Sequence, residues 1–447
     1  MMQNNRKRPQ TAPARLTQRS ITDFFVSNGR TSRAGLPKEG SLLSSQSSSA
    51  WNMSTFPVYD VVLRTLARSA EFEQAESAIC TSILPIMRRL MKADASFTYA
   101  ISLVDYKGQP SILIVVSEPN RVRGLLDSTY GGLPVVFLKG VVSTRASPAD
   151  WTTASKNLTQ QIGASISCAG DSHAGTLGLF VQQKSTKAVC ALTCAHVAQP
   201  VPAVPSVPDS FQPCRIVCPA DADLREMLAW LDTTIAKQET KLACCETDPP
   251  KWRATALCRK ALADSRQQRA TLLSRHDFGT VCAMNVHLPT PSNPFYSDCA
   301  LVRVADAANV SIERNMIDFR NHVCDGFLDP ETLTYRQMLV KIGRSTGLTK
   351  GRVNGYKFVA SMHSPFGLAE EFWSFATWNE DCQASVSTSG DSGAAIFLDG
   401  ESKAVGLLFG GVMVEVETQY GPRYVDLTLF QSIVVVATLL DIECLDA

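Results

Sequence analysis

Residues 388–398, Thr388-Ser389-Gly390-Asp391-Ser392-Gly393-Ala394 and the apolar run Ala395-Ile396-Phe397-Leu398, are the stretch on which the reading of this chain turns. Glycines on both sides of a serine allow a tight turn that exposes the hydroxyl and aims backbone N–H groups at a developing oxyanion. By itself such a turn is only a turn. Two other positions give it meaning. His196 closes the strand-like run AVCALTCA within Leu192-Thr193-Cys194-Ala195-His196-Val197, and Asp298 opens the run CALVRV within Tyr296-Ser297-Asp298-Cys299-Ala300. A lone histidine beside a strand is more often structural, and an aspartate at a strand entrance more often a turn residue. Together the three supply a base, an orienting carboxylate and a nucleophile, in the order His, Asp, Ser.

Working outward, residues 152–447 contain regular short apolar runs, among them GASISCA, GTLGLFVQQ, FGTVCAMNV and KAVGLLFGGVMVEV, which predict a mainly β domain. They show no βαβ alternation, which disfavours the α/β-hydrolase order Ser, Asp/Glu, His and the subtilisin order Asp, His, Ser. About residues 220–276 the period changes. DADLREMLAWLDTTIAKQETKL and PKWRATALCRKALADSRQQRATLLSRH are helical in pattern, joined by CCETDPP, and predict an αα-hairpin inserted into the β domain. Ahead of it, residues 52–148 read as a small α+β module: Ile79, Ile83, Ile86, Met87, Leu90 and Met91 at helical spacing, then the strands SFTYAISLVDY, SILIVV and LPVVFLKGVV.

Thr-Cys-Ala-His196, Ser-Asp298-Cys-Ala-Leu-Val and Gly390-Asp391-Ser392-Gly393 resemble the motifs of the trypsin-like, chymotrypsin-fold serine proteases, in their intracellular and microbial branches. A fourth block, Lys341-Ile-Gly343-Arg344-Ser-Thr-Gly347-Leu-Thr349-Lys-Gly351, is similar to the glycine-rich stretch before the nucleophile. The resemblance implies a double β-barrel over roughly 152–440 and a His196–Asp298–Ser392 triad. It also implies an oxyanion hole from the N–H groups of Gly390 and Ser392, with no metal or organic cofactor. Val386, six residues before Ser392, would form a neutral pocket base favouring aromatic or aliphatic P1 residues, and Gly410 and Gly411 would leave the pocket walls open. In secreted members the aspartate before the nucleophile pairs with an N-terminus released by cleavage. Here some 150 residues precede the β domain, so Asp391 either has another partner or awaits internal cleavage. Gly393-Ala394-Ala395 departs from the usual Gly-Gly-Pro, and Val197 stands where secreted members have cysteine.

The chain has 447 residues, 45% of them hydrophobic, enough for sizeable cores. No apolar run reaches the roughly 18 to 20 residues that span a bilayer, and no secretory signal opens the sequence, so a soluble, intracellular protein is expected. In that setting the 14 cysteines are expected as reduced thiols; Cys190/Cys194 and Cys214/Cys218 lack a second cluster at zinc-finger spacing, so no metal is assigned. Residues 1–50 carry eight Lys/Arg against two acids, a net +6 in a chain of net +1, so the basic end is a tail and the folded part offers no basic footprint for nucleic acid.

That tail is expected to be disordered. Within it Gln18-Arg-Ser-Ile21-Thr-Asp-Phe24-Phe25 resembles the sliding-clamp (PCNA) interacting peptide: one helical turn would set Ile21, Phe24 and Phe25 on one face, with Gln18 hydrogen-bonding the clamp. Clamp-binding trypsin-like proteases of animal nuclei have a similar arrangement, and Asn5-Arg6-Lys7-Arg8-Pro9 offers a nuclear-import signal, so the nucleus is favoured over the cytoplasm. The competing readings are a catalytically silent, protease-like adaptor that binds the clamp or other partners, and a protease acting mainly on itself, with the α+β module and hairpin as its regulatory platform.

Overall fold

The computed structural model describes residues 63–144, 147–148, 160–199, 213–246, 252–274, 277–289, 296–307, 310, 312–317, 322–334, 337–380, 385–418 and 421–445. Among the described residues the protein is mainly β, in two sheets of 13 and nine strands. The smaller sheet runs, edge to edge, through strands Ile442–Cys444, Leu179–Gln183, Val189–Thr193, Ser297–Val304, Asp277–His287, Arg215–Val217, Ser165–Cys168, His173–Thr176 and Ser147–Pro148. The larger holds Met338–Gly343, Gly347–Val353, Phe358–Ser364, Gly367–Trp378, Ala395–Leu398, Lys403–Thr418 and Gly421–Ser432.

Strands from the 52–148 segment do not form a sheet of their own. Tyr99–Tyr106 pairs with Gln109–Val116, and its other edge joins Phe358–Ser364; Leu133–Thr144 pairs with Lys403–Thr418. The segment is thus built into the larger sheet. Helix Leu84–Ala93 covers one face of it, burying Leu84, Met87 and Met91 against Tyr99, Ile101 and Ile114. Ile86 and Leu90, at the margin of the same stripe, remain half-buried.

One core joins both sheets: Leu192, Leu301 and Val302 of the smaller meet Phe372, Phe409 and Leu429 of the larger. Tyr296 packs between Phe372 and Phe409, with ring centroids 5.1 and 4.8 Å away. Helices Asp221–Glu246 and Trp252–Ser274 lie where the hairpin is expected, closed at the base by Leu224, Met227, Leu231 and Leu272. Further out the hairpin is laced by exposed pairs such as Arg269–Asp232 (2.7 Å) and Arg266–Glu239 (2.6 Å). Leu257 of the second helix is exposed. The expectation of reduced thiols fails at Cys168 and Cys214, which are disulfide-bonded; the chain brings their Cα atoms to 6.3 Å by pairing strand Arg215–Val217 with Ser165–Cys168. Among the described residues no helix is long and apolar enough to cross a membrane.

Candidate active site

Strand Val189–Thr193 pairs with Ser297–Val304 in the register Thr193↔Ala300, so the single helical turn Ala195–Ala198 lands beside Asp298. His196 N–H donates to Asp298 Oδ1 (3.1 Å) and Nδ1 makes a short bond to Oδ2; Tyr296 O–H also donates to Oδ2 (3.2 Å). A carboxylate can only accept, so the proton of a neutral imidazole sits on Nδ1 and Nε2 keeps its lone pair. Nε2 is buried and has no hydrogen-bond partner among the described residues. Asp298 is held from the other sheet as well: Gln431 Nε2 donates to its carbonyl (2.8 Å) and Gln431 Oε1 accepts from its N–H (3.3 Å).

Ser392 reaches the same place by backbone packing. Its carbonyl accepts from Thr176 N–H (2.8 Å) and its Oγ donates to Phe409 O (3.1 Å). Gly175 is wedged between this carbonyl and Val197, the neighbour of His196. Gly393, at φ +90°, leaves no room for a Cβ against Thr193 and Thr176, which explains the second glycine of the motif. The turn therefore sits against the residues that lead into His196.

The peptide before Asp391 is fixed on both flanks. Ser345 Oγ donates to Ser389 O (2.7 Å) and Thr176 Oγ1 to Gly390 O (2.9 Å). Carbonyl and N–H point to opposite sides of a trans peptide, so the Gly390 N–H is aimed away from Ser345. Against the Gly390 α-carbon rests the Arg344 guanidinium, itself buried and bonded twice to Asp223 of the first hairpin helix (2.6 and 2.5 Å).

Asp391 has an internal partner. Lys341 Nζ lies 2.9 Å from Oδ2 and Thr346 Oγ1 2.8 Å, and the N–H groups of Thr388 (3.0 Å), Ser345 (2.8 Å) and Thr346 (3.3 Å) also donate to the carboxylate. Burial opposes ionisation of Asp391, but Lys341 and these donors outweigh it and hold the carboxyl below its ordinary range. Burial pulls Lys341 below the ordinary lysine value, with Asp391 only partly offsetting it. Lys341, Thr176, Tyr296 and Gln431 were not assigned roles from sequence. Lys341 alone left a signal there, as a charge inside the apolar strand Met338–Gly343.

Val386 is buried; its carbonyl accepts from Thr349 Oγ1 (2.6 Å), and its side chain abuts Gly351. Gly410 and Gly411 lie on strand Lys403–Thr418, paired with Thr144 and Ser143 of strand Leu133–Thr144, and a Cβ on Gly410 would meet Ser143 O at 2.9 Å. Cys194 Sγ, His196 and Asp298 offer ligand atoms within 4.8 Å of one another. Burial and the Asp298 charge keep that thiol protonated, however, and it donates to Leu408 O (3.1 Å). A cation there would have to displace both this bond and the His196–Asp298 bond. The clamp-peptide residues Gln18, Ile21, Phe24 and Phe25 lie outside the described residues.

No protein-family model and no curated protein matches the chain. Among solved structures it is similar to a glutamic-acid-specific serine protease that uses a histidine triad in substrate binding, at 12% identity over 63% of this chain and 98% of that one, with TM-score 0.34. Cellulomonas bogoriensis chymotrypsin matches at 13% identity over 64% and 98%, TM-score 0.34. A Nocardiopsis protease matches at 11% over 63% and 97%, TM-score 0.32.

Proposed function

We propose that the chain is a serine endopeptidase of chymotrypsin-like fold, with His196, Asp298 and Ser392 as its triad. The observation that carries this is the buried His196–Asp298 pair: its Nε2 has no hydrogen-bond partner among the described residues, and the Ser392 turn packs on Thr193 and Cys194, which lead into His196. Ser392 Oγ rotates from Phe409 O to Nε2, gives up its proton there and attacks the peptide carbonyl; Asp298 holds the tautomer and stabilises the imidazolium. The Gly390 and Ser392 N–H groups receive the oxyanion, each worth on the order of 3 kcal/mol. His196 then protonates the leaving amine, and water hydrolyses the ester. Lys341 fills the place of a released N-terminus as the partner of Asp391, so the turn is set without cleavage.

A fluorophosphonate should label the full chain at Ser392 alone, and His196→Ala should abolish labelling because the hydroxyl then lacks its base. Labelling that persists in Ser392→Ala defeats the assignment. A second reading, the silent adaptor, draws on the complete burial of the Ser392 and His196 side chains; unlabelled but folded wild-type protein would favour it.

With Val386 at the pocket base, chromogenic peptides with Phe, Tyr or Leu at P1 should be cleaved faster than those with Arg or Lys, since a cation opposite valine would be buried unpaired. A preference for Arg would remove Val386 from the pocket. The tail directs the enzyme to the sliding clamp in the nucleus. A peptide of residues 12–32 should bind the clamp in the micromolar range, about −8 kcal/mol, and Phe24→Ala with Phe25→Ala should abolish the calorimetric signal. A native peptide that gives no heat refutes clamp binding and leaves the protease reading intact.

A further inference from the structure

We infer that the chain occupies its own substrate groove: the end of strand Leu133–Thr144 and strand Ser147–Pro148 lie where an extended peptide substrate would bind. The inference rests on the serine-protease reading above. Two backbone stretches border the nucleophile. Phe409 O accepts from Ser392 Oγ at 3.1 Å, and Thr176 N–H donates to Ser392 O at 2.8 Å. A peptide crossing Ser392 in extended form has to pass from one border to the other.

The protein's own backbone is paired with both. Thr144, Ser143 and Val142 run antiparallel to Gly410, Gly411 and Val412. Ser147 and Pro148 run antiparallel to Ala174 and His173. Thr144 and Ser147 are three residue steps apart, so the two paired stretches lie within at most roughly 11 Å of each other. Proteases and other strand-adding receptors recognise extended peptides through the backbone groups of a free strand edge. Here the edge at Gly410–Val412 is already hydrogen-bonded on its second side, its first being taken by strand Gly421–Ser432. The Ser392 and His196 side chains are accordingly without exposure.

The segment thus acts as a resident, substrate-like plug. Peptides gain access only in the fraction of molecules whose Val142–Thr144 end has peeled away, which scales the apparent rate down by that fraction. The remainder of the strand, paired through Val135–Lys139 with Gln109–Val116, anchors the plug while its end moves.

Ser143→Pro and Thr144→Pro each remove a backbone N–H from the paired end; successive N–H groups of a strand point to opposite edges, so one of the two faces Gly410–Gly411 and the other is its comparison. Hydrogen exchange of the 173–176 and 409–412 amides is followed beside the rate of fluorophosphonate labelling. In the unmodified chain these amides should be protected, and the variant that loses the facing N–H should speed their exchange and raise labelling roughly tenfold or more. Faster exchange with no labelling of any form would retire the protease reading while leaving the plug in place. Fast exchange of both stretches in the unmodified chain, a test that needs no variant to fold, overturns the inference. So do unchanged exchange and unchanged labelling in both variants.

Discussion

Asp298→Asn is expected to lower kcat about 10⁴-fold while the protein stays folded. The carboxylate accepts from His196 N–H, from Nδ1 and from Tyr296 O–H, and it is fully buried. An amide of the same shape keeps an oxygen for some of these donors, so packing survives. What it loses is the obligation to accept: its NH₂ group can donate to Nδ1, which moves the imidazole proton to Nε2 and blinds the base. Steady-state kinetics with a small peptide, alongside thermal unfolding, check this. A kcat within tenfold of wild type would show that Asp298 does not set the tautomer.

The second large effect is expected from Lys341→Met. Methionine fills similar volume but leaves Asp391 as a buried, unpaired carboxylate, a loss of about 3–5 kcal/mol in denaturant titration. Hydrolysis should fall with it, because Asp391 adjoins both Gly390 and Ser392. The same pair sets the pH response. Asp391 titrates below a free aspartate, so its contribution is complete above about pH 4 and is lost as pH falls through its folded value. Lys341 titrates below a free lysine, about 10.4, so on raising the pH the folded protein gives up this proton before the unfolded chain does. Over that interval Lys341 makes stability rise with pH, yet Asp391 loses its counter-charge. Activity should therefore fall on the alkaline side, below pH 10.4, without a matching fall in Tm attributable to this group. An alkaline limb unchanged in a residually active Lys341→Met would refute the link.

What could be read from the sequence was whatever depends on local pattern. The short alternating runs mark most strands of the two sheets, and the 3.6-residue spacing of Leu224, Met227 and Leu231 marks the first hairpin helix. The residue types within each motif around His196, Asp298 and Ser392 are also local, and His196 and Asp298, read separately, meet directly in the fold. Less was legible where a partner comes from far along the chain. Strands 99–106, 109–116 and 133–144 read as a separate module because their edges look complete in sequence, whereas pairing with 358–364 and 403–418 merges them into the larger sheet. The pairing of Gly410 and Gly411 with Thr144 and Ser143 was equally out of reach of local pattern, because the partner strand comes from far earlier in the chain. Cys168 and Cys214 are 46 residues apart, and only sheet pairing brings them within bonding reach. Lys341 could be seen as an oddity but not matched with Asp391, since nothing local links strand 338–343 to the turn at 391.

Gln431 holds Asp298 by its backbone while belonging to the opposite sheet. On the serine-protease reading, the acid of the triad stands on a strand of the smaller sheet but is tied by its backbone to the larger, like a keystone set in one pier and pinned to the other. A slight parting of the halves, too small to melt either one, would then pull on Asp298 and its bond to the imidazole. Catalytic competence would report the docking of one half on the other, and whatever grips or loosens that seam at a distance would act as a throttle on the chemistry.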